Sequence, residues 1–344
     1  DIDLSISALP QELPADLNAV ALMSDELRLV VRPGHPLLAR GRLRLEDLVQ
    51  AQWLLPGPDV AARRRIDELF AAAGLPEVEV GSFVSPRLLP QMADVAEVVA
   101  ATTTLPDVTI LALAPNLKGA ERAFAAGAHK VTMPVSASRA HSLANINMTP
   151  EEAVEAVAAV VRLRDSLGNG AGVEVGISTA FGCTMEGVVS EDWVVELAGL
   201  IAKAGADSIT LSDTTGMGNP AQVRRLFTRA RREFGDLVSG AHFHNTRGQG
   251  LANVVAALEC GVTTFDSSQG GLGGCPYAPG ATGNIVTEDL VFLLESMGLR
   301  TGVDIGKLIA ARALVLAGLP GEALYGHVPE AGLPKGFVRA GESA

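Results

Sequence analysis

Two histidines one residue apart, His242 and His244, close an apolar run that begins at Leu237. In a strand, side chains at i and i+2 leave the same face, so the two imidazoles aim at one point. Convergent imidazoles suit a divalent metal, although a polar pair where a strand leaves the core would look the same. Other chemistry-bearing residues also close short apolar runs. Glu79 sits inside Val78–Val80, where a carboxylate is costly to bury alone and is expected to be held by a cation or hydrogen bonds at a rim. Asp213 follows Thr210-Leu211-Ser212 and could act as an acid or base, or cap the next helix. Asp266 precedes Ser267-Ser268. Cys275 stands among Gly270, Gly271, Gly273 and Gly274, with Asn284 shortly after. A thiol enclosed by glycines reads as part of a segment that approaches a ligand closely, more than as a core filler.

The runs that carry these residues share a pattern. Four of the apolar runs follow a helical segment ending in Ala-Gly or a close relative, at Gly74, Gly127, Gly205 and Gly261, with glycine supplying the left-handed cap. Strands are predicted at 78–80, 108–114, 130–135, 173–178, 208–211, 237–244 and 263–266. Alternating β and α at this spacing means a parallel sheet covered by helices. The polar residues follow strands spread along the whole sequence, which points to an α/β fold of the (β/α)₈ TIM-barrel type with its first strand missing or replaced. An open doubly wound sheet is the alternative. Trp53-Leu54-Leu55 and an Arg-rich helix at 60–73 are candidates for the first unit.

Composition narrows the function. A formal charge of −12 argues against non-specific nucleic-acid binding. Apolar residues make up 48% and aromatics 4%, which favours close helix-on-strand layers. Three widely spaced cysteines give neither a disulfide framework nor a zinc pattern, so a cytoplasmic, reducing setting is expected. No apolar run is long enough to span a bilayer, so no membrane partner is expected. Two segments are expected, 1–76 and 77–340. Asp1 already stands in strand-like sequence, so the chain reads as beginning inside a domain.

Residues 1–76 form an α/β fragment that resembles part of the effector-binding domain of LysR-type transcriptional regulators. The matching text is DELRLVVRPGHPL, RLRLEDL, WLLPGPD and RRRIDELFAAAGLP. The reading helix of those regulators is absent, so DNA binding has no support. Residues 77–340 resemble hydroxymethylglutaryl-CoA lyase, of the metal-dependent lyase group built on TIM barrels. That text is VEVGSFVSPRLLPQMAD, VSAS followed by NIN, SDTTGMGNP, HFHNTRGQGLAN, TTFDSSQGGLGGCPYAPGATGN and TEDLVFLLESMGL. The resemblance implies His242, His244 and Asn284 as ligands of Mg²⁺ or Mn²⁺, Cys275 as a catalytic thiol, and Asp213 and Glu79 as active-site acids, with His242 also able to move a proton. It implies an acyl-CoA substrate, cleaved between C2 and C3 to acetoacetate and acetyl-CoA, and a homodimer.

The sequence departs from that pattern at one place that matters. The family's first strand ends in an Arg-Asp pair, one a metal ligand and the other an enolate stabiliser, and no such motif stands here. Asp59 in Pro56-Gly57-Pro58-Asp59 resembles it superficially. Without the pair, two imidazoles and an amide give a cation no charged ligand. After Ser136-Ala137-Ser138 the family usually has Glu, where Arg139 and then His141 stand here; the changed charge reads either as a shift to a related acyl-CoA or, for Arg139, as a solvated helix-start residue. The other readings are an inactive fusion of the two segments and a small-molecule sensor based on residues 1–76.

Overall fold

A computed structural model describes residues 72–273, 283–319 and 322–341. The candidate first unit at 53–73 therefore lies almost wholly outside the described residues, as does Asp59. From residue 77 the chain builds seven parallel strands: β1 (Glu77–Ser82), β2 (Thr109–Leu113), β3 (Lys130–Ser136), β4 (Gly172–Ser178), β5 (Ser208–Asp213), β6 (Val238–Phe243) and β7 (Thr264–Asp266). Their spatial order is their chain order, each paired with the next. A doubly wound sheet reverses direction at a switch point, and this one does not. The curled sheet is TIM-barrel-like, and a strand preceding β1 is not evident among the described residues.

Ten helices stand among the described residues: α1 (Val95–Thr102), α2 (Leu117–Ala125), α3 (Arg139–Ile146), α4 (Pro150–Leu167), α5 (Glu191–Ala204), α6 (Pro220–Phe234), α7 (Gly250–Leu258), α8 (Thr287–Ser296), α9 (Ile305–Gly318) and α10 (His327–Ala331). Their starts follow from local chemistry. Thr149 and Glu152 form a reciprocal capping box around Pro150 at the head of α4. Asn116, Ser138, Ser190 and Asn219 cap α2, α3, α5 and α6 through their side chains. The predicted glycine stops hold: Gly74, Gly127, Gly205 and Gly261 all have φ between 84° and 95°.

The core lies between sheet and helices. Val131, Val135, Val173, Val175, Ile177, Ile209 and Leu211 are fully buried against Val99, Ala120, Val157, Leu197, Ile201 and Leu226. Burying each such aliphatic side chain stabilises by about 1.5–3 kcal/mol. A second cluster, Ala73, Val291, Val303, Ile305, Leu308 and Val328, seats the C-terminal helices.

Inside the ring, near the strand starts, Lys130 bonds Glu77 at 2.8 Å and Glu174 at 2.9 Å. Ser208 and Thr210 also donate to Glu174. A Cβ added at Gly240 would strike the Thr210 side chain of this network. Gly240→Ala should therefore lower stability by about 1–3 kcal/mol through overpacking, read as a lower denaturant midpoint. Gly318→Ala, where nothing lies within 4 Å, should leave the midpoint unchanged or slightly higher.

Candidate active site

Parallel register decides what meets at the strand ends. His242 pairs with Ser212 of β5 on one side and Asp266 of β7 on the other. Its Nδ1 lies 3.1 Å from Asp266 Oδ2, and its Nε2 lies 3.2 Å from His244 Nε2. The two rings are 5.2 Å apart and tilted by 46°, so the expected convergence of the imidazoles holds. When Nδ1–H donates to Asp266, the neutral ring presents the Nε2 lone pair, the arrangement that metal-ligating histidines use. Burial alone would hold the His242 pKa down. The Asp266 hydrogen bond and charge, with the charges of Glu79 and Asp213, raise it overall.

Asn284 faces His244 in an isolated antiparallel bridge. Ile285 N–H donates to the Phe243 carbonyl at 3.1 Å, and Asn245 N–H to that of Gly283 at 3.2 Å. The Asn284 amide donates from Nδ2 to the Leu272 carbonyl at 3.0 Å. Its Oδ1 is buried and accepts no hydrogen bond among the described residues, a condition that costs free energy unless another group arrives. Among the described residues no group of three or more His, Cys, Asp or Glu side chains could hold a metal. The available donor set is two imidazoles and one amide.

Asp213, almost fully buried, ends β5 and accepts Met217 N–H at 2.9 Å and Gly218 N–H at 3.0 Å. Burial pushes its carboxyl up to about 6, against the lowering effect of those amides and of the Arg247 and His242 charges. The acid thus shapes the turn leading to α6, whose own cap is Asn219.

Glu79 corrects an expectation. No cation or hydrogen bond holds it among the described residues, and the residue is exposed. It shares a strand face with Glu77 and looks into the ring, surrounded by protein yet reached by water. Desolvation, followed by the Asp266 charge, pushes its carboxyl up to about 7, with Glu174 adding and His242 opposing. Desolvation thus favours the neutral acid over the carboxylate more than at an ordinary Glu.

Arg139 and His141 part company. Arg139 pairs with Glu151 at the surface, a solvated helix-start residue. His141 is buried beside Ser136 at 3.0 Å, and Ser136 in turn meets Thr179 at 2.9 Å. Thr179 has φ +57°, a strained conformation for a β-branched residue, and its N–H donates to Thr214, beside Asp213. Cys275 lies outside the described residues. Asp266 as the partner of His242, and the chain His141–Ser136–Thr179, were not foreseen, because only the register between strands brings them together.

An HMGL-like family profile matches residues 57–315 of the 344. The chain belongs to the HMGL-like family. That match begins before the boundary expected at 77. A LysR substrate binding domain profile matches residues 1–101, overlapping it. Hydroxymethylglutaryl-CoA lyase from Gallus gallus is 40% identical over 247 residues, 71% of this chain and 82% of that protein. The Pseudomonas aeruginosa 3-hydroxy-3-isohexenylglutaryl-CoA/hydroxy-methylglutaryl-CoA lyase is 41% identical over 259 residues, 75% of this chain and 86% of that one. An HMG-CoA lyase from Acinetobacter baumannii, solved with coenzyme A and 3-methylmalate, superposes with a TM-score of 0.74 at 39% identity, covering 80% of this chain and 89% of its own. The barrel described above is therefore the HMGL-like fold. No helix among its described residues is long and apolar enough to cross a membrane.

Within that fold Asp213 organises the turn after β5. Asp213→Ala should orphan two backbone amides and cost about 1–3 kcal/mol, measured by chemical denaturation.

Proposed function

We propose that this chain is a divalent-metal-dependent carbon–carbon lyase acting on a 3-hydroxy-3-methylglutaryl-CoA-like thioester. The products would be acetoacetate and acetyl-CoA. The reading is supported by family membership, and one observation carries the site: His242 and His244 converge beside Asn284, whose buried amide oxygen has no acceptor role among the described residues. His242, His244 and Asn284 would hold Mg²⁺ or Mn²⁺, with Asp266 fixing the tautomer of His242. Bound there, the cation would polarise the substrate oxygens.

The chain's own groups carry the protons. Asp213, held near neutrality by burial, takes the tertiary hydroxyl proton as C2–C3 breaks, or passes it through His242. Glu79, raised to about 7, stands nearby as a second acid. Cys275, by its place in the glycine-rich sequence, returns a proton to C2 of the thioester enolate. An acyl-CoA partner, a homodimer and a cytoplasmic setting complete the reading. An inactive fusion is the competing reading, supported by the missing Arg-Asp pair.

Purified full-length protein incubated with 3-hydroxy-3-methylglutaryl-CoA and Mn²⁺ should release acetoacetate. EDTA should abolish release and added Mn²⁺ restore it, while Cys275→Ala and His244→Ala should each lose at least about a hundredfold in kcat, the size typical of removing one acid–base group. Release no faster than that of the Cys275→Ala protein would establish the inactive fusion.

A further inference from the structure

Anions must enter a mouth that is itself acidic. Glu79, Asp213 and Asp266 surround a histidine–histidine–asparagine set that carries no fixed charge. A glutaryl-type acyl-CoA brings a carboxylate and several phosphates to that place. Like charges brought together there repel unless a cation intervenes. The guanidinium that the family places after its first strand has no counterpart motif in this sequence.

Arg247 stands three residues beyond His244 and is exposed. Its Nη1 donates to the Thr215 and Gly216 carbonyls, both at 3.0 Å. Those carbonyls belong to the turn that Asp213 organises, so the guanidinium bridges the loops after β5 and β6. The two loops are locked together: Gly216 has φ +60°, and a Cβ there would lie 2.6 Å from Thr246. The outer-helix arginines Arg224, Arg225, Arg229 and Arg231 are each paired with a carboxylate. Arg247 has no carboxylate oxygen within 4.0 Å among the described residues. Its charge nevertheless reaches Asp213, whose carboxyl it helps to hold down. Carbonyl tethers fix a guanidinium without neutralising it, leaving its remaining N–H groups for a bidentate anion. Little side-chain entropy remains to be lost when that anion binds.

We propose that Arg247 is the residue that receives an anionic group of the substrate at the barrel mouth, either the carboxylate of the acyl moiety or a phosphate of its coenzyme. The assignment rests on the acyl-CoA lyase reading and adds a binding residue to it. A clamp that only joins two loops would have the same carbonyl bonds, so the test must separate charge recognition from stability.

The full chain, with saturating Mn²⁺, is titrated calorimetrically with coenzyme A and, separately, with 3-hydroxy-3-methylglutarate. Wild type, Arg247→Met and Arg247→Lys are compared, with melting temperatures recorded for each. Arg247→Met should weaken one ligand about tenfold or more, the range for losing a charge-assisted hydrogen bond, and Arg247→Lys should recover part of it. Loss confined to coenzyme A identifies a phosphate as the anion; loss confined to the hydroxy acid identifies the carboxylate. Unchanged affinity for both ligands, with or without a lower melting temperature, overturns the proposal, and so does wild-type protein that binds neither. Binding requires no cleavage. A chain that binds through Arg247 but releases no acetoacetate would sink the lyase reading alone.

Discussion

The hydrogen bond between His242 and Asp266 is the constraint on which the site depends. It exists because β6 and β7 pair in parallel with these two residues opposite each other. A slip of one residue would turn His242 away from the ring and into the helix-side core, where Phe243 now packs. Register is in turn held by the apolar layer, since Ala241 and Phe243 are fully buried on either side of His242. Packing thus orients an imidazole whose function has nothing to do with packing. The antiparallel bridge from His244 to Asn284 then adds the third donor from a segment forty residues further along.

Electrostatics in the mouth follows from crowding acids into a place that water still reaches. Asp213 is raised by burial although two amides and a guanidinium oppose the shift. Glu79, with no amide donors and only the His242 charge opposing, rises to about 7. Deeper in the ring, Lys130 sits between Glu174 and Glu77 and pairs with both. One end of the ring is therefore neutralised by an ion-pair network, and the other keeps groups able to exchange protons near neutral pH. That division suits a fold whose chemistry gathers after the strand ends.

Much of this was legible in the residues. Apolar runs located all seven strands, four of them after an Ala-Gly-type stop, because a left-handed cap leaves a strong mark on a sequence. The i, i+2 spacing of His242 and His244 was sufficient to predict their convergence. What the sequence did not carry was information about neighbours across strands. Asp266 looked like one polar residue among several, and Thr179 gave no hint of its positive φ. Glu79 was expected to find a partner, an inference from burial cost. Glu79 is exposed where the apolar text of β1 implies a buried position. Arg139 looked like a change near the substrate and is a surface ion pair with Glu151; its neighbour His141 is the one turned toward the strand ends.

The central claim is that His242, His244 and Asn284 together receive one divalent cation. Titrating the full-length protein with Mn²⁺ and counting free ion by electron paramagnetic resonance tests it most directly, independent of any turnover. One tight Mn²⁺ per chain, weakened at least about tenfold in His244→Ala and in Asn284→Ala and also in Asp266→Asn, as expected when a ligand's supporting carboxylate is lost, is the predicted result. Mn²⁺ binding indifferent to all three substitutions, or none in the wild-type chain, would contradict it.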